Sequence, residues 1–406
     1  MMKNNQKIPE GWSVKKLGDI GKVSMCKRIM KHETNPDKGI PFYKIGTFGG
    51  KPDAYISSEL YSSYKNKYSY PKKGDILISA AGTIGRTVIF DGADAYFQDS
   101  NIVWISNDET KALNRYLLYY YTTSPWYTTT GGAILRLYNE NISNAKILLP
   151  PLPEQEKIAG VLGTWDEAIE KLSDLIEQKK LLKKGLMQKL LSGKTRLPDF
   201  TQPWKEVKLG EIGTTYTGLS GKNKDDFGKG SYFIPYMNIY QNNKIDSNQL
   251  ELVDVLENEN QNSVQYGDIF FTTSSETPEE VGFASVLLFR PKEKIYLNSF
   301  CFGYRLNNFN TLLPNFAVYL FRSSQIRKTM FKLAQGATRF NLSKNTLMKE
   351  KVYLPSDITE QKAIADVLST ADDEINLLNQ KLEALKEQKK GLMQQLLTGQ
   401  IRVKVN

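Results

Sequence analysis

Apolar side chains near the end of the chain recur in alternating steps of four and three: Ile364, Leu368, Ala371, Ile375, Leu378, Leu382 and Leu385, then Leu392 and Leu396 beyond a break at Lys389. That spacing keeps one face of a helix apolar and predicts a long helix whose stripe is narrow enough to suit a single partner helix. A second stripe runs through Ile158, Leu162, Trp165, Ile169, Leu172 and Ile176, then Leu186 and Leu190, with Lys179 and Lys183 out of register. Elsewhere the apolar runs are short and rich in β-branched and aromatic residues, as strands are. Lys73-Gly74-Asp75-Ile76-Leu77-Ile78-Ser79 and Tyr266-Gly267-Asp268-Ile269-Phe270-Phe271-Thr272 each read as a turn feeding a buried strand. Ile147-Leu148-Leu149-Pro150 and Val352-Tyr353-Leu354-Pro355 read as strands stopped by proline just before each long helix.

These pairs belong to one internal repeat. Residues 154–196 align without a gap on residues 360–402, with 22 identities in 43 positions. Glu154-Gln155 answers Glu360-Gln361, Asp166 answers Asp372, and Lys183-Lys184-Gly185-Leu186-Met187-Gln188 answers Lys389-Lys390-Gly391-Leu392-Met393-Gln394. An opener repeats as well: Trp12 with Leu17-Gly18-Asp19-Ile20-Gly21 against Trp204 with Leu209-Gly210-Glu211-Ile212-Gly213. Between opener and helix the scaffold agrees in outline while the polar residues do not. A chain written twice implies an internal two-fold axis, and a two-fold protein suits a two-part target.

The predicted architecture is α+β: two mixed α/β domains joined by two long antiparallel helices in an intramolecular coiled coil. The boundaries are 1–152 for the first domain, 153–196 for its helix, 197–357 for the second domain and 358–406 for the second helix. The stripe residues Ile158, Leu162, Trp165, Ile169, Leu172, Ile176, Ile364, Leu368, Ile375, Leu378, Leu382 and Leu385 are its expected packing positions. The alternative is two amphipathic helices, each packed on its own domain. A helix of ~38 residues is ~57 Å long, against ~34 Å per turn of DNA, so such a rod holds two reading heads more than one turn apart. Gly185 and Gly391 sit inside the helical pattern, where glycine costs ~1 kcal/mol against alanine, which suggests close backbone approach or a bend. Gly193 and Gly399 read as ordinary helix stops. Ser356-Asp357-Ile358-Thr359 replaces the approach Pro151-Leu152-Pro153 with one residue more, so the second helix is expected to start differently.

Composition narrows the class. The 406 residues are 40% hydrophobic and 24% charged, a globular balance with room for two domains. No apolar run approaches the ~20 residues of a membrane span, and the N-terminus lacks the apolar core of a signal peptide, so a cytoplasmic protein is expected. Cys26 and Cys301 occupy non-equivalent places and read as reduced, buried thiols. The net charge of +10 suits a polyanion such as double-stranded DNA.

Catalytic patterns fail on inspection. Ser192-Gly193-Lys194-Thr195 lacks the upstream glycine and the preceding strand of a phosphate-binding loop, and its twin Thr398-Gly399-Gln400-Ile401 drops the Lys and Thr. Asp199, Glu206 and Lys208 resemble the carboxylate–lysine set of metal-dependent nucleases, but Val14 stands at the equivalent of Glu206. A single histidine, His32, excludes a multi-histidine zinc cluster and paired-histidine catalysis. No catalytic residue and no metal site is assigned.

Glycine-rich polar loops follow the matched strands instead. Gly82-Thr83-Ile84-Gly85-Arg86 follows Ser79, opposite Thr272-Thr273-Ser274-Ser275-Glu276, and residues 131–137 align with residues 336–342. A common frame bearing different side chains is what reading two different base sequences requires. Arginine reads guanine bidentately and Asn or Gln reads adenine, each worth ~1–3 kcal/mol of discrimination, while hydroxyls, lysines and amides hold phosphates. The candidate DNA-binding residues are Ser79, Thr83, Arg86, Arg136, Tyr138 and Asn139 in the first half. In the second half they are Thr273, Ser274, Ser275, Thr338, Arg339, Asn341 and Lys344.

With these residues in place the chain resembles the DNA-specificity subunit of type I restriction–modification systems. The resemblance rests on Pro9-Glu10-Gly11-Trp12 with Leu17-Gly18-Asp19-Ile20, on Gly74-Asp75-Ile76-Leu77-Ile78-Ser79, on Leu152-Pro153-Glu154-Gln155 with Ile158, and on Gly185-Leu186-Met187-Gln188 with Leu190, Leu191 and Gly193, together with their twins. It implies two target-recognition domains, each reading one half of a split DNA site, with the helices as spacer. It further implies two docked methyltransferase subunits and two ATP-driven restriction subunits. S-adenosylmethionine, ATP and magnesium would belong to those partners, and this chain would bind no cofactor. The other readings are a stand-alone DNA-binding regulator and a metal-dependent nuclease.

Overall fold

The computed structural model describes residues 8–123, 126, 136–336 and 338–405. The chain forms two compact units, one comprising Met1–Leu172 with Lys381–Asn406, the other Ser173–Gln380. Each unit thus combines a globular domain with the start of its own long helix and the end of the other.

In the first unit the opener strand β1 (Ser13–Lys16) leads to β2 (Gly21–Met25), β3 (Ile40–Tyr43), β4 (Ile76–Ser79), β5 (Thr87–Ile89), β6 (Tyr96–Phe97), β7 (Ile102–Asn107), helix α1 (Asn114–Thr123) and β8 (Lys146–Leu149). The long helix α2 spans Leu152–Leu190. An antiparallel sheet of order β2-β7-β4-β5 forms the centre. Both faces of β4 are covered, so all four of its residues are buried, as its unbroken apolar run requires. Strand β1 pairs antiparallel with β8, Ser13 opposite Leu149, which returns the chain to its own opener before the helix begins.

The second unit repeats this order. Strands β9 (Trp204–Lys208), β10 (Gly213–Thr217), β11 (Phe227–Ile234), β12 (Ile269–Thr272), β13 (Ala284–Val286), β14 (Ile295–Leu297) and β15 (Cys301–Leu306) precede helix α3 (Pro314–Leu320), strand β16 (Lys351–Pro355) and the long helix α4. Helix α4 spans Ile358–Leu397. The central sheet has order β10-β15-β12-β13, and β9 pairs antiparallel with β16.

The helices pack as an antiparallel pair inside each unit. In the first, Ile158, Leu162, Leu396 and Leu397 share one core with Leu17, Ile78, Tyr116 and Ile147. In the second, Leu190, Leu191, Ile364 and Leu368 share one core with Ile269, Phe271, Tyr304 and Phe316. The start of one helix therefore meets the end of the other in both. The remaining stripe residues lie between: Ile176, Ile375 and Leu382 are buried, while Trp165, Ile169, Leu172, Leu378 and Leu385 are half-buried. Two readings, helices on their own domains and helices on each other, are thus both partly right, because each helix end does both.

Two expectations need correction. The long helices begin at Leu152 and Ile358, which are equivalent positions, so the extra residue before the second helix does not shift its start. It is absorbed in the link between strand and helix, where Ser356-Asp357 stand against Pro151 alone. Gly185 and Gly391 have open space where a Cβ would stand, so close approach is not their reason. Nothing in the structure explains them. Gly193 and Gly399 do end the helices, at φ +68° and +69°, in the left-handed region that glycine enters freely.

Candidate nucleic-acid interface

The repeated residues build the frame that carries the variable ones. Glu154 is buried, accepts from Trp12 Nε1 at 2.9 Å, and is gripped by Arg402 Nε at 2.6 Å and Nη2 at 2.8 Å. Glu360 repeats this with Trp204 at 3.2 Å and Arg196 at 2.5 and 2.7 Å. A buried carboxylate requires such partners, and the fork of an arginine matches its two oxygens. The neighbouring glutamines do a second job. Gln155 accepts from the backbone N–H of Leu113 and donates to the carbonyls of Lys111 and Pro150. Gln361 makes the same three bonds with Leu313, Thr311 and Pro355. Glu-Gln at each helix start is therefore the bolt between helix and domain.

The lysines that broke the apolar stripes have a matching role. Lys389 donates to Asp166, whose other oxygen accepts from Tyr119 at 2.8 Å. Lys183 donates to Asp372, which accepts from Tyr319 at 2.9 Å. Each ammonium also lies over its tyrosine ring, at 5.2 and 5.8 Å from the centroid. Burial, helped by the adjacent carboxylate, pushes both phenols well above their ordinary range, so they remain neutral donors.

The variable loops leave the same end of each central sheet. In the first unit, Met25, Ser79 and Ile102 mark that end of β2, β4 and β7. In the second, Thr217, Thr272 and Cys301 mark it for β10, β12 and β15. The loop anchors correspond bond for bond. Ala80 donates to the Asn101 carbonyl and Leu137 to that of Ala80, while Thr273 donates to the Phe300 carbonyl and Leu342 to that of Thr273.

The sequence-derived candidates divide on this frame. Thr83, Arg86, Tyr138 and Asn139 are exposed, as are Thr338, Arg339 and Asn341; Arg136, Thr273, Ser274, Ser275 and Lys344 are half-buried. Arg86 donates to the Phe48 carbonyl and Arg136 to the Ser100 carbonyl, each through one terminal nitrogen. Ser275 donates to Glu280. Ser79 is buried; its hydroxyl donates to the Thr83 carbonyl and accepts from the Arg86 N–H, which shapes the loop from beneath. Residues 131–135 lie outside the described ones, and so does Ala337.

Sequence reasoning missed a cleft at this end of the first unit. It has a volume of about 710 Å³ and is lined by Arg28, Lys31, Asn35, Gln98, Asn101 and Arg136, among others. Residues 28–36 lack apolar periodicity and have no repeat partner in the alignment, which left them without a signal. Of the nuclease-like residues, Glu206 pairs with Lys351 across the β9–β16 ladder at 3.1 Å. Among the described residues no group of three or more His, Cys, Asp or Glu side chains is placed to hold a metal. Cys26 and Cys301 are free and buried, and burial pushes the Cys26 thiol up to about 12. Among the described residues no helix is long and apolar enough to cross a membrane.

The fold defines an internally duplicated two-domain protein that varies its side chains on one constant frame. The profile of the type I restriction modification DNA specificity domain matches residues 9–179 and 201–387, and the chain belongs to that family. It is similar to a putative type I restriction enzyme specificity subunit of Haemophilus influenzae, with 59% identity over 167 residues, a match that spans 41% of this chain and 43% of that one. A putative type I restriction enzyme specificity subunit of Methanocaldococcus jannaschii is 27% identical over 98% of this chain and 95% of its own. Among solved structures, the type I restriction-modification S subunit from M. genitalium superposes with a TM-score of 0.54 at 15% identity, covering 98% of both chains. The HsdS subunit from Thermoanaerobacter tengcongensis gives 0.51 at 17% identity, covering 99% and 100%. The chain is therefore a DNA specificity subunit of a type I restriction–modification system, a non-catalytic member of a complex that acts on DNA.

Proposed function

We propose that each unit reads one half of a bipartite double-stranded DNA site with the loops at the exposed end of its central sheet. The paired helices set the gap between the halves. They also dock two methyltransferase subunits and recruit two restriction–translocase subunits, in the cytoplasm. S-adenosylmethionine, ATP and magnesium serve those partners, and this chain supplies the address.

One observation carries the reading. The loop anchors of the two units correspond bond for bond, while the side chains they present differ: Arg136 stands where the second unit has Asn341, and Asn101 where it has Phe300. A frame kept constant under changing side chains is what two different half-sites require. The helices, pinned to both domains by Glu154 and Glu360, are the elements able to transmit a fixed spacing.

The test is methylation mapping of the host genome with and without this gene. A split motif that vanishes on deletion supports the reading. A methylation pattern unchanged by deletion overturns it.

A further inference from the structure

Arg28 lies in the cleft of the first unit, and its environment is unlike that of the structural arginines. Its Nε donates to Asp99 Oδ2 at 2.8 Å, and the arginine side chain is 66% exposed while that of Asp99 is 17% exposed. The anchor is inside and the fork outside. Arg322 shows the contrast, since its guanidinium donates to the carbonyls of Ala284, Ile239, Tyr240 and Asn242 and is used up within the fold. Among the described residues Asp99 alone pairs with Arg28.

The turn that carries Asp99 is itself unusual. Ser100 adopts φ +52°, a left-handed conformation that a residue with a Cβ enters rarely and that concentrates at functional sites. This turn aims the Ser100 carbonyl at Arg136 Nη2, 2.8 Å away, beside the Asp99 carboxylate on Arg28. Two consecutive residues, Asp99 and Ser100, therefore hold two arginines in one cleft, each by a single bond. In the second unit the corresponding turn, Asn298-Ser299-Phe300, is one residue shorter, judged by the matching bonds Gln98 N–H to Tyr43 and Asn298 N–H to Ile234.

We propose that Arg28 is a specificity-determining residue of the first unit that reads a guanine, oriented for it by Asp99. This rests on the reading that this end of the sheet meets DNA. Two parallel N–H groups match the O6 and N7 acceptors of guanine, an arrangement no other base offers. With Nε held by Asp99, the terminal Nη1 and Nη2 are the pair left to face a base edge, and the carboxylate fixes their plane. A lysine has the charge and lacks the fork.

The experiment is methylation mapping with the full chain in its host complex, comparing wild type with Arg28→Gln, Arg28→Lys and Asp99→Asn. The expected result is that Arg28→Gln relaxes or changes one G·C pair in one half-site, at least tenfold in preference, and leaves the other half-site intact. Arg28→Lys loses the same position, and Asp99→Asn broadens it. If Arg28→Gln lowers the melting temperature and abolishes methylation, Asp99→Asn decides on the same criterion. A motif unchanged in Arg28→Gln overturns the proposal, as does full wild-type specificity in Arg28→Lys, which marks a phosphate contact. Gene deletion with no effect on methylation instead removes the underlying reading, so the two failures are distinct.

Discussion

Arg402 grips Glu154 across 248 positions of sequence, Nε on Oε1 at 2.6 Å and Nη2 on Oε2 at 2.8 Å. Arg402 Nη1 reaches on to the carbonyl of Glu10 at 3.0 Å, so the clamp also holds the opener. Arg196 does the same in the second unit, on Glu360 and the carbonyl of Gln202.

The clamp yields the first prediction. Replacing Arg402 with Met leaves a buried carboxylate with Trp12 as its one remaining partner among the described residues, a loss of about 1–3 kcal/mol for a buried acceptor, at the lower end because Arg402 is partly exposed. The melting temperature should fall by a few degrees, and Arg196→Met should lower it comparably. Unchanged melting in both variants would show that the clamp is ornamental.

The seam between the helices gives a second test. Ile375 is 8% exposed on the stripe, whereas Glu383 is exposed and, among the described residues, paired with Lys386. Ile375→Asp places a carboxylate among apolar neighbours and should destabilise by several kcal/mol through lost burial and desolvation. Glu383→Ala should change stability by less than about 1 kcal/mol. Chemical denaturation of the two variants separates these outcomes.

Acid sensitivity has a local source in the second unit. The Lys222 ammonium, with Gln261 and the Leu256 N–H, holds the Glu259 carboxyl at about 2. A folded-state value below the unfolded one favours the folded state above the unfolded value of ~4.3, and that contribution fades as pH falls toward the folded value. Wild type should therefore melt higher than Glu259→Gln at pH 6, with the difference shrinking between pH 4.5 and about 2. A difference that grows on acidification would contradict this sign.

Spacing is tested by insertion. One heptad after Leu172 and one after Leu378 keeps both stripes in phase and lengthens the pair by ~10 Å, about 3 base pairs. The mapped half-sites should stay the same while the gap between them widens. An unchanged gap would separate the helices from the spacing.

Domain modularity is the last test. Exchanging residues 20–148 for those of a relative should alter one half of the mapped motif and spare the other. Alteration of both halves would contradict independent reading.

Much of this fold was legible because its scaffold is repeated. Periodicity located both long helices, and the proline-stopped strands gave β8 and β16 their places. The interruptions were legible only as interruptions. Lys183 and Lys389 broke the stripe, but nothing in a linear pattern points to Asp372 or Asp166, nearly two hundred residues away or more. The same holds for Glu154 and Glu360, whose arginine and tryptophan partners come from distant segments. The cleft was least visible. Arg28, Asp99 and Arg136 sit on three separate loops, and only the strand ends of one sheet bring them together.

The sharing of helix ends has a consequence for how the protein is made. The first unit includes Lys381–Asn406, and Leu396 and Leu397 fill its core. On the ribosome its opening residues emerge before the second unit, yet its last core side chains and Arg402 emerge only after the whole of the second unit has been translated. The first domain must wait, unfinished, while the second is translated and completed ahead of it. A stop codon between residues 381 and 396 therefore leaves the second unit whole and takes core side chains from the part of the protein that was made first.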